Sequence, residues 1–273
     1  MDGEGFSPKL SMKKNKDNQE FLNTAIQVAL QAGALLRKGF DTTFEITSKP
    51  GRHNLVTEYD KAAEDCILTT LMKRFPDHGF IGEEQGHTRQ GEVTWIVDPL
   101  DGTVNFAHGV PLFCVSIAVA VQEEIVASAV FQPMTQELFW ALKDHGAFLN
   151  GKPLHVSTNA SFQDAFVTTG FPYNVEEDPL HCIETFSSFL RKGIPIRRLG
   201  SAAIDMAYVA AGRFDAYWEA SLQPWDFAGS LLLIEEAGGT VTQYDGSPCK
   251  IFQPSSILAT NQHLHAVLQK ELQ

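Results

Sequence analysis

The sequence predicts a layered α+β fold in which helices cover sheets. Three observations carry that expectation. The middle of the chain, about Phe113–Phe148, is dense in short strand-like runs. The part after Asn150-Gly151 alternates helix and strand, and the part before the middle opens on two long helical segments. A soft boundary near residue 150 then divides residues 19–273 into two lobes of one domain, behind a polar tail at 1–18 expected to be flexible.

The elements follow in chain order. Phe21, Ala25, Val28, Ala29, Ala32 and Leu35 recur at three and four residues, so 19–39 reads as a helix closed by Gly39. Phe44–Thr47 alternates like a strand, and 48–54, with Pro50 and Gly51, reads as a loop. A second helix spans Thr57–Phe75 and stops before Pro76, which disfavours helical geometry in its predecessor. Strands are expected near Phe80-Ile81 and Thr94–Val97, then at Cys114–Val121, Ile125–Phe131 and Glu137–Ala141. Beyond 150, helices are expected at 179–191, 202–211, 226–237 and 261–271, with strands at 165–169, 195–198, 214–218, 240–243 and 256–260.

Composition removes several function classes. At 273 residues a chain buries roughly three quarters of its unfolded surface, so it needs no covalent staples. The longest apolar runs, such as Ile117–Val121 and Leu231–Ile234, fall far short of the about 20 residues that cross a bilayer. The net charge of −12 argues against direct nucleic-acid binding through phosphates. Cys66, Cys114, Cys182 and Cys249 form no CxxC pair and read as reduced thiols of a cytoplasmic protein. The first 18 residues lack the apolar stretch of a secretory signal.

The chemistry concentrates at three acidic places, each at the end of an apolar element. Trp95-Ile96-Val97 runs into Asp98-Pro99-Leu100-Asp101-Gly102-Thr103, Phe80-Ile81 runs into Gly82-Glu83-Glu84, and Asp226 opens an apolar helix after Pro224-Trp225. Each has an ordinary role available: a helix cap for Asp226, a hydrogen-bonded turn for Asp98–Gly102, a solvated tip for Glu83-Glu84. Together they suit a hard divalent cation, which prefers oxygen ligands and often keeps waters and substrate phosphate. The nine histidines are scattered and read as structural or surface residues, and no P-loop, GxGxxG or GxSxG pattern competes.

These segments, with Arg198-Leu199-Gly200-Ser201-Ala202-Ala203, Asp215-Ala216-Tyr217-Trp218-Glu219, Trp225–Gly229 and Glu236–Gly239, resemble the inositol monophosphatase family in order and spacing from about residue 20 onward. The resemblance implies its αβαβα sandwich, a homodimer, and two to three Mg²⁺ ions. Their ligands would be Glu83, Asp98, the Leu100 carbonyl, Asp101 and Asp226. It implies Thr103, Asp60 and Glu83 as the catalytic set, with Thr103 and Asp60 orienting the attacking water. Asp101, Gly102 and Thr103 would meet the phosphate; Gly200, Ser201, Ala202, Glu219 and Asp226 would complete the substrate site. Lys49 falls where the family carries a lysine on a mobile loop. Asn54 replaces an acid of the inositol-preferring animal members, as in bacterial ones. The implied reaction is hydrolysis of inositol monophosphate or a similar polyol phosphate by direct attack of water, with lithium inhibition. Fructose-1,6-bisphosphatase, histidinol-phosphatase and nucleotide 3′-phosphatase are the alternatives within the fold. Val104-Asn105-Phe106 favours the inositol branch. A regulatory role, binding transcription machinery, is known for some bacterial members and stands as a second class.

Overall fold

The computed structural model describes residues 8–48, 55–89 and 91–273. Lys49 and Asn54 lie outside them. The elements are α1 (Pro8–Gly39), β1 (Ile46–Ser48), β2 (Leu55–Thr57), α2 (Glu58–Arg74), β3 (Gly79–Gly82), β4 (Gly86–Arg89), β5 (Val93–Asp101), α3 (Thr103–Ala107), β6 (Cys114–Val121), β7 (Glu124–Gln132), β8 (Glu137–Leu142), β9 (Ala147–Leu149) and β10 (Lys152–Pro153). There follow β11 (Val167–Thr169), α4 (Cys182–Arg191), β12 (Ile196–Arg197), α5 (Ala202–Ala210), β13 (Ala216–Leu222), α6 (Pro224–Glu236), β14 (Thr240–Thr242), β15 (Ser255–Thr260) and α7 (His265–Glu271).

Five layers stack as expected. Helices α1 and α2 cover one face of an eight-stranded sheet of order β10-β9-β8-β7-β6-β5-β3-β4. Helices α5 and α6 fill the space between its other face and a five-stranded sheet of order β12-β11-β13-β15-β14. On the far side, Phe189 of α4 and Leu264, Leu268 and Leu272 around α7 pack against Val167, Trp218 and Leu258. The first sheet ends at Pro153 and the second begins at Val167, so the change of sheet falls beside residue 150. One buried cluster nevertheless runs from Ile96 and Val130 through Ile204 and Leu232 to Ile257, so the sheets share a core.

Three expectations need correction. Helix α1 starts at Pro8, not at residue 19, and so runs through Lys13–Lys16. That stretch lacks an apolar period, yet three of its four residues are lysines, which are good helix formers, and the downstream turns are already nucleated. Leu36 rather than Leu35 completes the buried stripe after Ala32, as a step of four residues demands. The terminal helix also begins late, at His265, because Asn261 first makes a turn, its Oδ1 accepting from the Leu264 N–H at 3.1 Å. His265 itself is structural: its ring bridges Thr242 and Thr260 hydroxyls at 3.0 and 2.9 Å.

Candidate active site

Sheet topology brings the first two acidic places together. Strands β3 and β5 are parallel, with Gly82 level with Val97, so Glu83 and Asp98 leave the same end of adjacent strands. Strand β5 is then distorted. Asp98 pairs with Ser116 and Asp101 with Cys114 on β6, so β5 carries one residue more than its partner across this interval. Pro99, which has no N–H to offer the ladder, falls inside that bulge. Gly102 ends it at φ 94°, and a Cβ there would stand 3.0 Å from the Leu112 carbonyl oxygen. The third acid arrives on α6, which packs so closely on β6 that a Cβ at Gly229 would stand 2.4 Å from Ser116 Oγ, and Ser116 is the partner of Asp98.

The ordinary roles of these acids are real, and they are what fixes each side chain. Asp98 Oδ1 accepts the Leu100 N–H at 3.0 Å. Asp226 Oδ2 accepts the Gln223 N–H at 2.7 Å as the third residue of a capping box. Asp60 Oδ2 accepts the Thr57 N–H and hydroxyl at 2.7 and 2.6 Å. Asp101 Oδ2 reaches the opening of α5, where it accepts the Ser201 hydroxyl at 2.6 Å and the Ala203 N–H at 2.7 Å. The second oxygens of Asp98 and Asp226 have no protein donor among the described residues. Thr103 Oγ1 stands 2.9 Å from Asp60 Oδ1 and 3.0 Å from the Leu100 carbonyl oxygen, one proton between two acceptors.

The acids repel one another. Burial, then the charges of Glu83, Asp101 and Asp226, raise Asp98 well above the usual carboxylate range. Burial, Glu83 and Asp101 do the same to Asp226. Burial pushes Asp101 up to about 6 against the pull of its donors, and burial raises Asp60 as well. Such a group of buried carboxylates, in which Asp98 and Asp226 each keep an oxygen with no donor among the described residues, is chemically suited to a hard divalent cation. Among the described residues no three acidic, His or Cys side chains close round one point. The acids share an electrostatic field without closing into a cage.

Of the residues expected at the alcohol side, Ser201 is fully committed to Asp101, and Ala202 opens α5 beside it. Gly200 sits just ahead at φ 83°. Glu219 lies at a second bulge, in β13, and accepts the Tyr217 hydroxyl at 2.5 Å. Burial pushes its carboxyl up to about 7.

The profile of the inositol monophosphatase family matches residues 17–273. The chain belongs to that family. An inositol-1-monophosphatase of Synechocystis is 40% identical over 258 residues, covering 94% of this chain and 90% of the relative. Escherichia coli Nus factor SuhB is 41% identical over 228 residues, covering 82% and 85%. The solved inositol monophosphatase of Anabaena superposes with a TM-score of 0.83 at 38% identity, covering 93% and 95%.

Three neighbours of this family site escaped the sequence. Glu64, one turn after Asp60 on α2, is fully buried and its Oε1 accepts the Glu84 N–H at 3.1 Å. A spacing of four residues from Asp60 was the available signal. Cys114 Sγ lies 3.8 Å from Asp101 Oδ2, and burial with the charge of Asp101 holds it as a thiol. Tyr173 is about half exposed, yet burial of its phenol and the charges of Glu83, Asp226, Asp101 and Asp98 raise its pKa. No pattern in its segment marked either of these two.

Proposed function

We propose that the protein hydrolyses inositol monophosphate, or a closely similar polyol phosphate, to the free alcohol and inorganic phosphate, with Mg²⁺ as cofactor. The observation that carries this reading is the meeting of Glu83, Asp98, Asp101 and Asp226 in one field at the ends of β3, β5 and α6. Two or three Mg²⁺ ions would be held by Glu83, Asp98, the Leu100 carbonyl, Asp101 and Asp226. When bound, they supply positive charge for the phosphate and the departing oxygen, and they acidify water.

The chain's own residues do the rest. Thr103 Oγ1 accepts a proton from the attacking water while its own proton passes to Asp60 Oδ1, and the raised pKa of Asp60 suits it to receive that proton. The first N–H of α3, that of Thr103 just after Gly102, has no acceptor within the helix and is the one that meets a phosphate oxygen. Glu219, Ser201, Ala202 and Gly200 line the alcohol side. Water attacks directly, so no phospho-enzyme forms.

The test is phosphate release from a panel of monoesters with Mg²⁺ and with EDTA. Inositol monophosphate should lead, release should cease on chelation, and lithium should inhibit. Metal-independent release, or preference for fructose 1,6-bisphosphate, histidinol phosphate or a nucleotide 3′-phosphate, would overturn the assignment. A partner role in transcription beside catalysis rests on one observation, the name of the Escherichia coli relative. A homodimer belongs to the same reading. So does a cytoplasmic setting, supported by four free cysteines; among the described residues no helix is long and apolar enough to cross a membrane.

A further inference from the structure

Helix α3 carries Thr103 and belongs to the half built on the first sheet; α5 opens at Ser201-Ala202 and belongs to the other half. One side chain spans them. Asn105 Nδ2 donates to the Leu112 carbonyl at 2.7 Å, in its own half, and to the Leu199 carbonyl at 2.8 Å, in the other, with the Gly200 carbonyl at 3.4 Å. An amide nitrogen has two protons, so both short bonds are made at once. Three carbonyls around one atom also fix the orientation of the amide, since its oxygen there would face only acceptors.

From this geometry we infer that Asn105 is a positioning residue, which sets the alcohol side of the cleft against the phosphate side. The inference rests on the phosphatase reading above. Asn105 lies two residues after Thr103, and its carbonyl acceptors lie immediately before Ser201. A second link between the same two parts is Asp101, which accepts from Ser201 and Ala203, with Cys114 Sγ beside it 3.7 Å from Ser201 Oγ. Asp101 holds the first turn of α5; Asn105 holds the loop leading into it. Gly200 completes the fit. At φ 83° it adopts a conformation that favours glycine, and a Cβ would stand 3.1 Å from Asn105 Nδ2. A side chain there would push the amide off its acceptors. Substrates whose alcohol is held by the α5 loop depend on this link, and substrates with little alcohol to hold do not.

Asn105→Asp tests it, because aspartate keeps the shape and removes the donor. With inositol monophosphate, KM should rise about tenfold, the effect of losing hydrogen bonds to two carbonyls, while kcat changes little. With glycerol 2-phosphate KM should hardly move, so selectivity between the two esters falls about tenfold. In the same variant, amide hydrogen exchange across 196–206 should accelerate, with α1 and α2 unchanged. Gly200→Ala should accelerate the same exchange across 196–206 from the other side of the contact, and that readout serves as the test should N105D fail to fold. An equal loss on both esters, a loss confined to kcat, or unchanged exchange across 196–206 would overturn the assignment. A wild-type protein with no metal-dependent hydrolysis would defeat the phosphatase reading alone, and the exchange measurement would still decide the role of Asn105.

Discussion

The two halves of the cleft are built by opposite means. In the half carried by the first sheet, Asp98 and Asp60 are fixed by donors close in sequence, Leu100 and Thr57, while Asp101 takes its donors from the opening of α5. In the other half, the loop and first turn of α5 take their place from residues about a hundred positions away, through Ser201 to Asp101 and Leu199 to Asn105. Local turns deliver charge, and distant contacts deliver register. Asp226 is the instructive exception: it belongs to the second half by sequence, yet it is fixed locally by its capping box and contributes charge.

The largest effect should come from breaking charge on either side. Asp98→Asn and Asp226→Asn should each lower turnover on the order of 10³-fold at saturating Mg²⁺, the scale expected when transition-state charge loses its support. Their melting temperatures in EDTA should not fall, since each substitution relieves repulsion among buried carboxylates. Phosphate-release kinetics and thermal melts check both. Near-normal turnover in either variant would remove that residue from the site, and a loss in one alone would make the two halves unequal in charge.

This division explains what could be read in advance. The turn Asp98–Thr103, the tip at Glu83 and the cap at Asp226 were visible because their geometry is written within a few residues of each acid. Five of the eight strands of the first sheet, β3 and β5 to β8, were visible for the same reason, as apolar runs bounded by turns; β4, β9 and β10, two to four residues long, are too short to show a period. Asn105 was visible only as a letter in a motif, because its acceptors at Leu199 and Gly200 are made neighbours by tertiary packing. Tyr173 and Cys114 were hidden likewise; nothing local ties Tyr173 to the acids, and Cys114 depends on the bulged register opposite Asp101. The early start of α1 was hidden for another reason, since its first turns carry no apolar period in the sequence to betray them.

A smaller effect sharpens the comparison on the alcohol side. Glu219 is buried, bonded to Tyr217, and distant in the chain from every first-half acid. Glu219→Gln should raise KM for inositol monophosphate about tenfold and change substrate choice, with kcat within a few-fold, as expected for a group that holds the alcohol. Steady-state kinetics on two esters decide the point. An equal loss with every substrate, wholly in kcat, would move Glu219 from the register half of the cleft to the charge half.

The smallest effect concerns Glu64, the buried acid behind Glu83-Glu84. Its Oε2 has no hydrogen-bond partner among the described residues, and burial, reinforced by the charge of Glu84 and partly offset by the Glu84 N–H, pushes the carboxyl up to about 7 from its ordinary 4.5. Below about 4.5 the group is neutral folded and unfolded, and it costs nothing. Between 4.5 and 7 the unfolded chain releases this proton while the folded chain keeps it, so stability declines as pH rises through that window. Above 7 the whole cost of a buried charge is present. Glu64→Gln removes the titration and keeps an oxygen for the Glu84 N–H. In EDTA the variant should therefore match the wild type near pH 5 and exceed it near pH 8 by about 1–2 kcal/mol, or roughly 2–4 °C in melting temperature. A gap that does not change with pH would mean that Glu64 stays ionised in the fold. The tip carrying Glu83 would then be held by a charge, in the manner of Asp98 and Asp60, and the local half of the cleft would extend one layer deeper.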